Sequence, residues 1–288
     1  MVELKKDYKI GKRRFGKINW IGSFTLYKKE TLRFLIVFGQ TVLGPVVTAF
    51  LFLLVISLAI GPNKGLVLGV PFIEFLAPGL IAMQVVQQSF SHTSSSILMG
   101  KMMGNIVDIV GSPLSAIEIT TSLILAAATR ALTICFLSIL VFAFFIEIKI
   151  LSYFYFFIYL LLTSFILGSA GLIAGLWADK FDHMSTVTNF FIVPLSFLSG
   201  TFYSVERLPS FLAKLSFYNP FFHMIDGFRF AFIKEYDGSI KFGLIYLSVI
   251  LPSIFFNDNG LICKYWFFCL LILYSFFYYL LYSFAKKQ

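Results

Sequence analysis

The residues able to do chemistry are few in this sequence, and they stand apart. The three histidines, His92, His183 and His223, are distant along the chain and follow no metal-ligand spacing such as HExxH. Cys135, Cys263 and Cys269 have neither metal-ligand nor disulfide-framework spacing and read as space-filling apolar side chains. No GxxxxGKS or GxxxxGKT run occurs, so the chain cannot cradle nucleotide phosphates in the P-loop manner. What remains are charges and amides placed where they are costly. Arg130 lies among Leu125, Ala126, Ala127, Ala128 and Leu132. A charge at the centre of a spanning helix costs roughly 2.5–3.5 kcal/mol on insertion scales, so this one must face other helices or a polar cavity. Its two readings are a structural arginine satisfied by carbonyls, and a member of a solute path or subunit interface. Gln84 and Gln88 open a polar stretch that continues through Ser89, Ser91, His92, Thr93, Ser94, Ser95 and Ser96. These side chains cannot all face lipid and must meet another helix or a water-filled path. Asp226 and Arg229 are three residues apart, hence on one helical face, and read as an ion pair anchoring an interfacial helix.

The elements that position these groups are set by a composition that is mostly apolar. Hydrophobic residues make up 59% of the 288 and charged residues 13%, with a mean hydropathy of +0.88; a soluble domain carries roughly 25% charged residues. Ten of the 23 Lys and Arg residues fall within residues 1–35, against three acids. That basic segment precedes the first apolar run, where positive-inside bias places cytoplasmic charge, so nucleic acid is not the expected partner. It can also lean on anionic lipid headgroups. The first apolar run begins near Leu35, too far in for a cleavable signal peptide.

Within residues 17–35, Trp20, Phe24, Tyr27, Thr31 and Phe34 recur at helical spacing, with Lys29 and Arg33 mostly opposite. This predicts an amphipathic helix lying on the cytoplasmic leaflet. Two regions result: a basic amphipathic N-terminal segment (1–35) and a transmembrane region (36–288). Spans are expected at Ile36–Ile60, Phe75–Leu98, Ile119–Ile146, Tyr153–Trp177 and Val187–Phe202, with a cytoplasmic segment at 99–118 and a second cytoplasmic loop at Ala178–His183. An outer segment from Tyr203 to Lys241 holds two helices, Pro209–Phe217 and Pro220–Ile233, the second capped by Asn219 with Pro220 at its first position. Phe242–Phe256 is only 15 residues with Pro252 inside, and reads as a broken or re-entrant piece before a last span at Tyr265–Phe284. The fold class is therefore an all-α polytopic membrane protein of about six spans, both lysine-rich ends inside.

Three ordered stretches resemble one family. Lys101-Met102-Met103-Gly104-Asn105-Ile106-Val107-Asp108-Ile109-Val110-Gly111-Ser112-Pro113-Leu114-Ser115 resembles the cytoplasmic gating loop of type-2 ABC exporter permeases, a family that includes polysaccharide, lipo-oligosaccharide and drug export permeases. Val193–Ser204 followed by Leu208-Pro209 resembles the family's fifth span and its exit, and Tyr218–Arg229 its outer NP motif. Ala127–Ala131, around Arg130, matches the third span. The likeness covers about residues 18–240; residues 250–288 depart from it, because the family has one plain span and a basic tail there.

The resemblance implies a half-transporter in a bacterial inner membrane, with a cytoplasmic N-terminus. Two copies of the chain would join two copies of a separate ATP-binding subunit, which would carry the ATP and magnesium; this chain would hold no cofactor and be non-catalytic. Gly104, Asn105, Asp108, Pro113 and Leu114 would couple to that subunit, with Asp179–His183 a smaller contact. Gln84, Gln88 and Arg130 would line the path or its polar interior. A secondary transporter or channel acting without ATP is the alternative, though few acids lie within the spans to build a proton relay. A membrane-embedded transferase would need clustered carboxylates, for which Asp226, Glu235 and Asp237 are the outer candidates. An amphipathic cargo suits the polar second span and the many aromatics.

Overall fold

The computed structural model describes residues 18–60, 67–205 and 209–260. Helix α1 (Trp20–Ile36) begins where Asn19 Oδ1 accepts the Gly22 N–H at 3.0 Å, a side-chain N-cap. The chain bends at Val37 and passes through a π-helical turn, Gly39–Leu43, into α2 (Gly44–Ile60). Thr41 Oγ1 donates to Phe34 O at 2.7 Å and Val37 O at 2.9 Å, so carbonyls released at the bend keep a partner. There follow α3 (Phe72–Met102), the short α4 (Ile106–Val110), α5 (Ala116–Ala143) and α6 (Tyr153–Trp177). Next, α7 (Phe181–Val187) runs through a second π-helical turn (Thr188–Ile192) into α8 (Val193–Leu198). Two shorter helices, α9 (Ser210–Tyr218) and α10 (Pro220–Ile233), precede α11 (Ile240–Gly260). Among the described residues there is no strand beyond an isolated Val67–Val70 bridge.

This is an all-α polytopic membrane protein. Gly39–Ala59, Ala116–Ala143 and Tyr153–Trp177 are each long and apolar enough to cross a bilayer. Helix α3 has 31 residues, about 46 Å at 1.5 Å per residue, which exceeds the hydrocarbon thickness of about 30 Å. Its polar half is not an obstacle, because most of it is buried against other helices.

Helix α3 is the hub, and α6 is its closest neighbour. Three glycines of α6 make that contact. A Cβ on Gly171 would sit 2.3 Å from both Phe90 O and Thr93 Oγ1, and one on Gly175 would sit 2.8 Å from Ser94 O. Gly168 adds its carbonyl, which accepts from Thr93 Oγ1 at 2.7 Å. Lipid supplies no hydrophobic drive between helices, so close backbone approach and interhelical hydrogen bonds carry the packing. Two serines of α3 close back onto their own helix: Ser89 Oγ donates to Val85 O at 2.7 Å and Ser94 Oγ to Phe90 O at 2.8 Å. The polar stretch thus meets another helix, one of its two expected settings.

Several expected boundaries shift. Helix α1 forms as anticipated, but its packed face is Leu26, Glu30 and Phe34; Trp20 and Phe24 are exposed, available to lipid. The helix runs alongside α5 in the same direction, with Asn19 at Glu118, Ser23 at Ser122 and Phe34 in one apolar cluster with Ile134. The broken or re-entrant piece expected at Phe242–Phe256 is instead part of one continuous helix, α11, which passes through Pro252. Membrane helices tolerate proline when neighbours hold the helix, and α11 is held by α6 and α10 around the buried Leu247. The span expected at Tyr265–Phe284 lies outside the described residues.

The α3–α6 contact predicts an inverted response to a helix-favouring substitution. Gly→Ala normally stabilises a helix interior by about 1 kcal/mol. Gly171→Ala should instead cost about 1–3 kcal/mol by overpacking, read as a lower unfolding midpoint of the detergent-purified protein. Gly39→Ala, whose Cβ would meet nothing within 4 Å, should keep the ordinary sign and raise the midpoint slightly.

Candidate functional site

At one end of the bundle the α3–α5 connection builds a small projecting element. Helix α3 ends at Met102, and Gly104 adopts φ +78°, a left-handed conformation that favours glycine. Asn105 occupies the N-cap position of α4 without a side-chain cap bond, and Asp108 sits in its first turn. Gly104, Asn105 and Asp108 are exposed. So are Val107 and Val110, at 70% and 69%. Ile109 is buried, and Ile106 packs with Ile97, Leu123, Leu172 and Leu176, so α4 is held from behind and bare in front. Pro113 and Leu114 have a different neighbour. Pro113 O accepts from Asn19 Nδ2 at 3.4 Å, and Leu114 lies against Gly22 of α1.

Glu118 fastens this corner. It forms a capping box with Ser115, whose N–H donates to Oε2 at 2.6 Å, while its Oε1 accepts the Asn19 N–H at 2.5 Å. One buried carboxylate thereby serves the starts of both α5 and α1, two places where helix N–H groups lack partners and negative charge is favoured. On the other side, Lys101 Nζ donates to Leu176 O at 2.9 Å, Ala178 O at 2.7 Å and Asp179 Oδ1 at 2.9 Å. The Lys101 ammonium holds the Asp179 carboxyl below the usual carboxylate range.

Deeper in the bundle, Arg130 Nη2 donates to Gln88 Oε1 at 2.6 Å and to Thr41 O at 3.1 Å. The guanidinium therefore bridges α5, α3 and the π-helical turn, where the wide turn leaves a carbonyl to receive it. Gln84 lies one turn from Gln88 on α3 and is buried. Towards α1, Glu30 pairs with Arg33 at 3.0 Å and accepts from Ser96 Oγ at 2.7 Å, while Arg33 Nη2 donates to His92 O at 3.1 Å. His92 is fully buried with its ring edge-on to Phe34.

The opposite end holds a second polar nucleus. Asn219 caps α10 at Phe221 N, 3.0 Å, and its Nδ2 donates to Leu195 O and Ser199 Oγ at 3.0 and 2.9 Å. Asp226 and Arg229 share a face, but Arg229 takes Asp237 as its ion-pair partner, at 3.8 Å. Asp226 uses its carboxylate on the N–H groups of Asp237 and Gly238, at 2.9 and 3.0 Å. Arg229 donates to Gly200 O at 2.6 Å and lies 3.8 Å above the Phe75 ring. Asp237 also accepts from Ser204 Oγ and Val205 N. The expected attraction between Asp226 and Arg229 is thus part of a wider network that ties α10 to the end of α8 and the start of α11. Both Asp226 and Arg229 are buried, which fits an anchor and not an exposed contact.

The expected coupling residues therefore fall into an exposed group on α4 and a pair seated against α1, while Gln88 and Arg130 meet directly. Sequence reasoning missed the roles of Glu118, the Glu30–Arg33–Ser96 cluster and Lys101–Asp179, and named Asp237 only as a candidate carboxylate for a transferase. Only the first had a local signal, the Ser115-x-x-Glu118 capping box. Among the described residues no group of three or more His, Cys, Asp or Glu is placed to hold a metal ion.

Comparison with known proteins places the chain among relatives. The family model described as ABC-2 type transporter matches residues 22–233. The inner membrane transport permease YadH of Escherichia coli is 30% identical over 233 residues, covering 80% of this chain and 91% of the relative. Nodulation protein J of Sinorhizobium fredii is 24% identical over 264 residues, covering 85% and 92%. The protein of the same name from Rhizobium leguminosarum is 22% identical over 245 residues, covering 82% and 92%.

The Arg130 geometry yields a double-variant prediction. Arg130→Met leaves Gln88 Oε1 and Thr41 O without their donor, a loss of roughly 1–3 kcal/mol in unfolding free energy. Adding Gln88→Leu removes one stranded acceptor. The double variant should then be more stable than Arg130→Met alone, as read from unfolding midpoints.

Proposed function

The chain belongs to the ABC-2 type transporter family, and on that premise we propose that it forms the membrane half of an ATP-driven exporter that docks on its ATP-binding subunit through α4. The family membership makes it a transmembrane component of an ABC transporter and implies an ATP-binding partner. The observation that carries the docking reading is α4 itself. Its Val107 and Val110 point outward while Ile106 and Ile109 fix the helix to the bundle. Exposed apolar side chains on a short, firmly held projection are what a groove on a partner would bury. Asp108 and Asn105 beside them supply a polar rim.

The finer picture is as follows. Two copies of this chain enclose the path, and two copies of the partner bind ATP and its magnesium. This chain carries no cofactor and performs no hydrolysis. The protein is multi-pass in a bacterial inner membrane, as the name of the YadH relative describes that protein. Its N-terminus is cytoplasmic, on the same side as α4. Exposed Trp20, Ile21 and Phe24 on α1 enter the inner leaflet, with Lys28 and Lys29 near anionic headgroups. Closure of the partner dimer on ATP displaces α4, and the bundle shifts between two states that bind cargo differently. The direction is outward, and the cargo is amphipathic.

Affinity purification from native membranes in mild detergent tests this. A P-loop protein should co-purify with the unaltered chain. Val107→Asp combined with Val110→Asp should cut its recovery at least tenfold without changing the elution of the permease. Absence of any P-loop protein from the unaltered sample would overturn the reading.

A further inference from the structure

Docking of α4 explains how a partner grips the chain, but not how movement reaches the helices beyond α3. We infer that Lys101 is a latch that joins the α3–α4 corner to the α6–α7 corner, so that both cytoplasmic loops move as one body. The inference rests on the coupling role proposed for α4.

The geometry is specific. Lys101 is the penultimate residue of α3, three residues before Gly104, whose left-handed φ of +78° starts the turn into α4. Its ammonium has three donors, and three acceptors receive them: Leu176 O, Ala178 O and Asp179 Oδ1, at 2.9, 2.7 and 2.9 Å. Two of these are carbonyls at the C-terminal end of α6, where helix carbonyls lack intrahelical partners and the helix dipole favours a cation. The Asp179 carboxylate is 75% exposed, so it adds direction more than strength. An apolar key lies beside the latch. Ile106 of α4 enters a cluster with Ile97 of α3, Leu123 of α5 and Leu172 and Leu176 of α6. A push on α4 can therefore reach α6 by two routes, through the apolar cluster that Ile106 joins and through the Lys101 hydrogen bonds at the end of α3. From Trp177 the chain passes within a few residues into α7 and, through its π-helical turn, α8. The latch thus connects the docking element to a helix far from it in sequence. Lys101 is a positioning residue; it touches neither nucleotide nor cargo in this scheme.

The test uses the full chain with Cys135, Cys263 and Cys269 replaced by alanine and spin labels at Met103→Cys and Ser185→Cys, both exposed and outside the docking residues. Distances are read by pulsed electron resonance on the permease alone and on its complex with the co-purifying P-loop protein, nucleotide-free and trapped with ADP and vanadate. With Lys101 intact, one narrow distance should persist in all three conditions. Lys101→Met should at least double the width of the distribution, and in the complex it should make the distance sensitive to vanadate trapping. Lys101→Arg should restore much of the narrow distance, because a guanidinium can still donate to both carbonyls; a general loss of packing would not be rescued. Asp179→Asn, which keeps the two carbonyl bonds, should broaden it less. A narrow, nucleotide-invariant distance in Lys101→Met would overturn the latch, as would a broad distance in the unaltered protein. If no P-loop protein is recovered, the coupling reading fails, while the permease alone still reports whether Lys101 fixes the two loops.

Discussion

Everything in this bundle depends on how closely α6 can lie against α3. The two backbones meet where Gly171 and Gly175 expose bare helix to Phe90, Thr93 and Ser94. No side chain larger than hydrogen fits there. In a bilayer the contact cannot rely on expelling water, so proximity and hydrogen bonds must do the work. Thr93 donating to Gly168 O is both at once. Because α3 also touches α2, α5 and α10, fixing α6 on α3 sets the frame for the polar clusters at both ends.

Several of the buried charges in those clusters are met by backbone groups as well as by side chains. Arg130 donates to Thr41 O, Arg229 to Gly200 O, and Asp226 accepts from two N–H groups. Glu118 serves the beginnings of two helices. Such groups hold elements at fixed separations without needing a counter-charge, and a partner removed from the membrane interior is expensive to leave unpaired. The two ends of the bundle are thereby tied corners joined by long helices. That architecture suits a machine in which a displacement at one end is read at the other.

How much of this could be read from the chain depended on how local each cause was. The bounds of α6 coincide with the apolar run Tyr153–Trp177, since Ala178-Asp179 ends both the apolarity and the helix. Asn219-Pro220 marked the start of α10 because capping is a matter of two adjacent residues. The burial of the polar stretch in α3 followed from its cost in lipid, but not its partner α6, 75 residues from Thr93 along the chain. The spacing of Asp226 and Arg229 put them on one face, yet their true partners lie beyond the left-handed turn at Lys234, which returns Asp237 and Gly238 to α10. Helix α11 was misjudged because Pro252 and the polar Asn257-Asp258-Asn259 were weighed as breaks, whereas packing on α6 and α10 keeps the helix continuous. The family likeness rests on Lys101–Ser115, Val193–Ser204 with Leu208-Pro209, and the NP motif in Tyr218–Arg229, all short-range patterns.

The central claim is that the bare face of α4 is covered by an ATP-binding subunit. Replacing Val107 with a photo-activatable phenylalanine analogue in cells, and irradiating intact membranes, tests it at a single side chain. The account predicts one dominant cross-linked product containing a P-loop protein, absent when the same analogue replaces the exposed Tyr153 at the opposite end of the bundle. A Val107 probe that captures only lipid, or a protein without a nucleotide site, would contradict it.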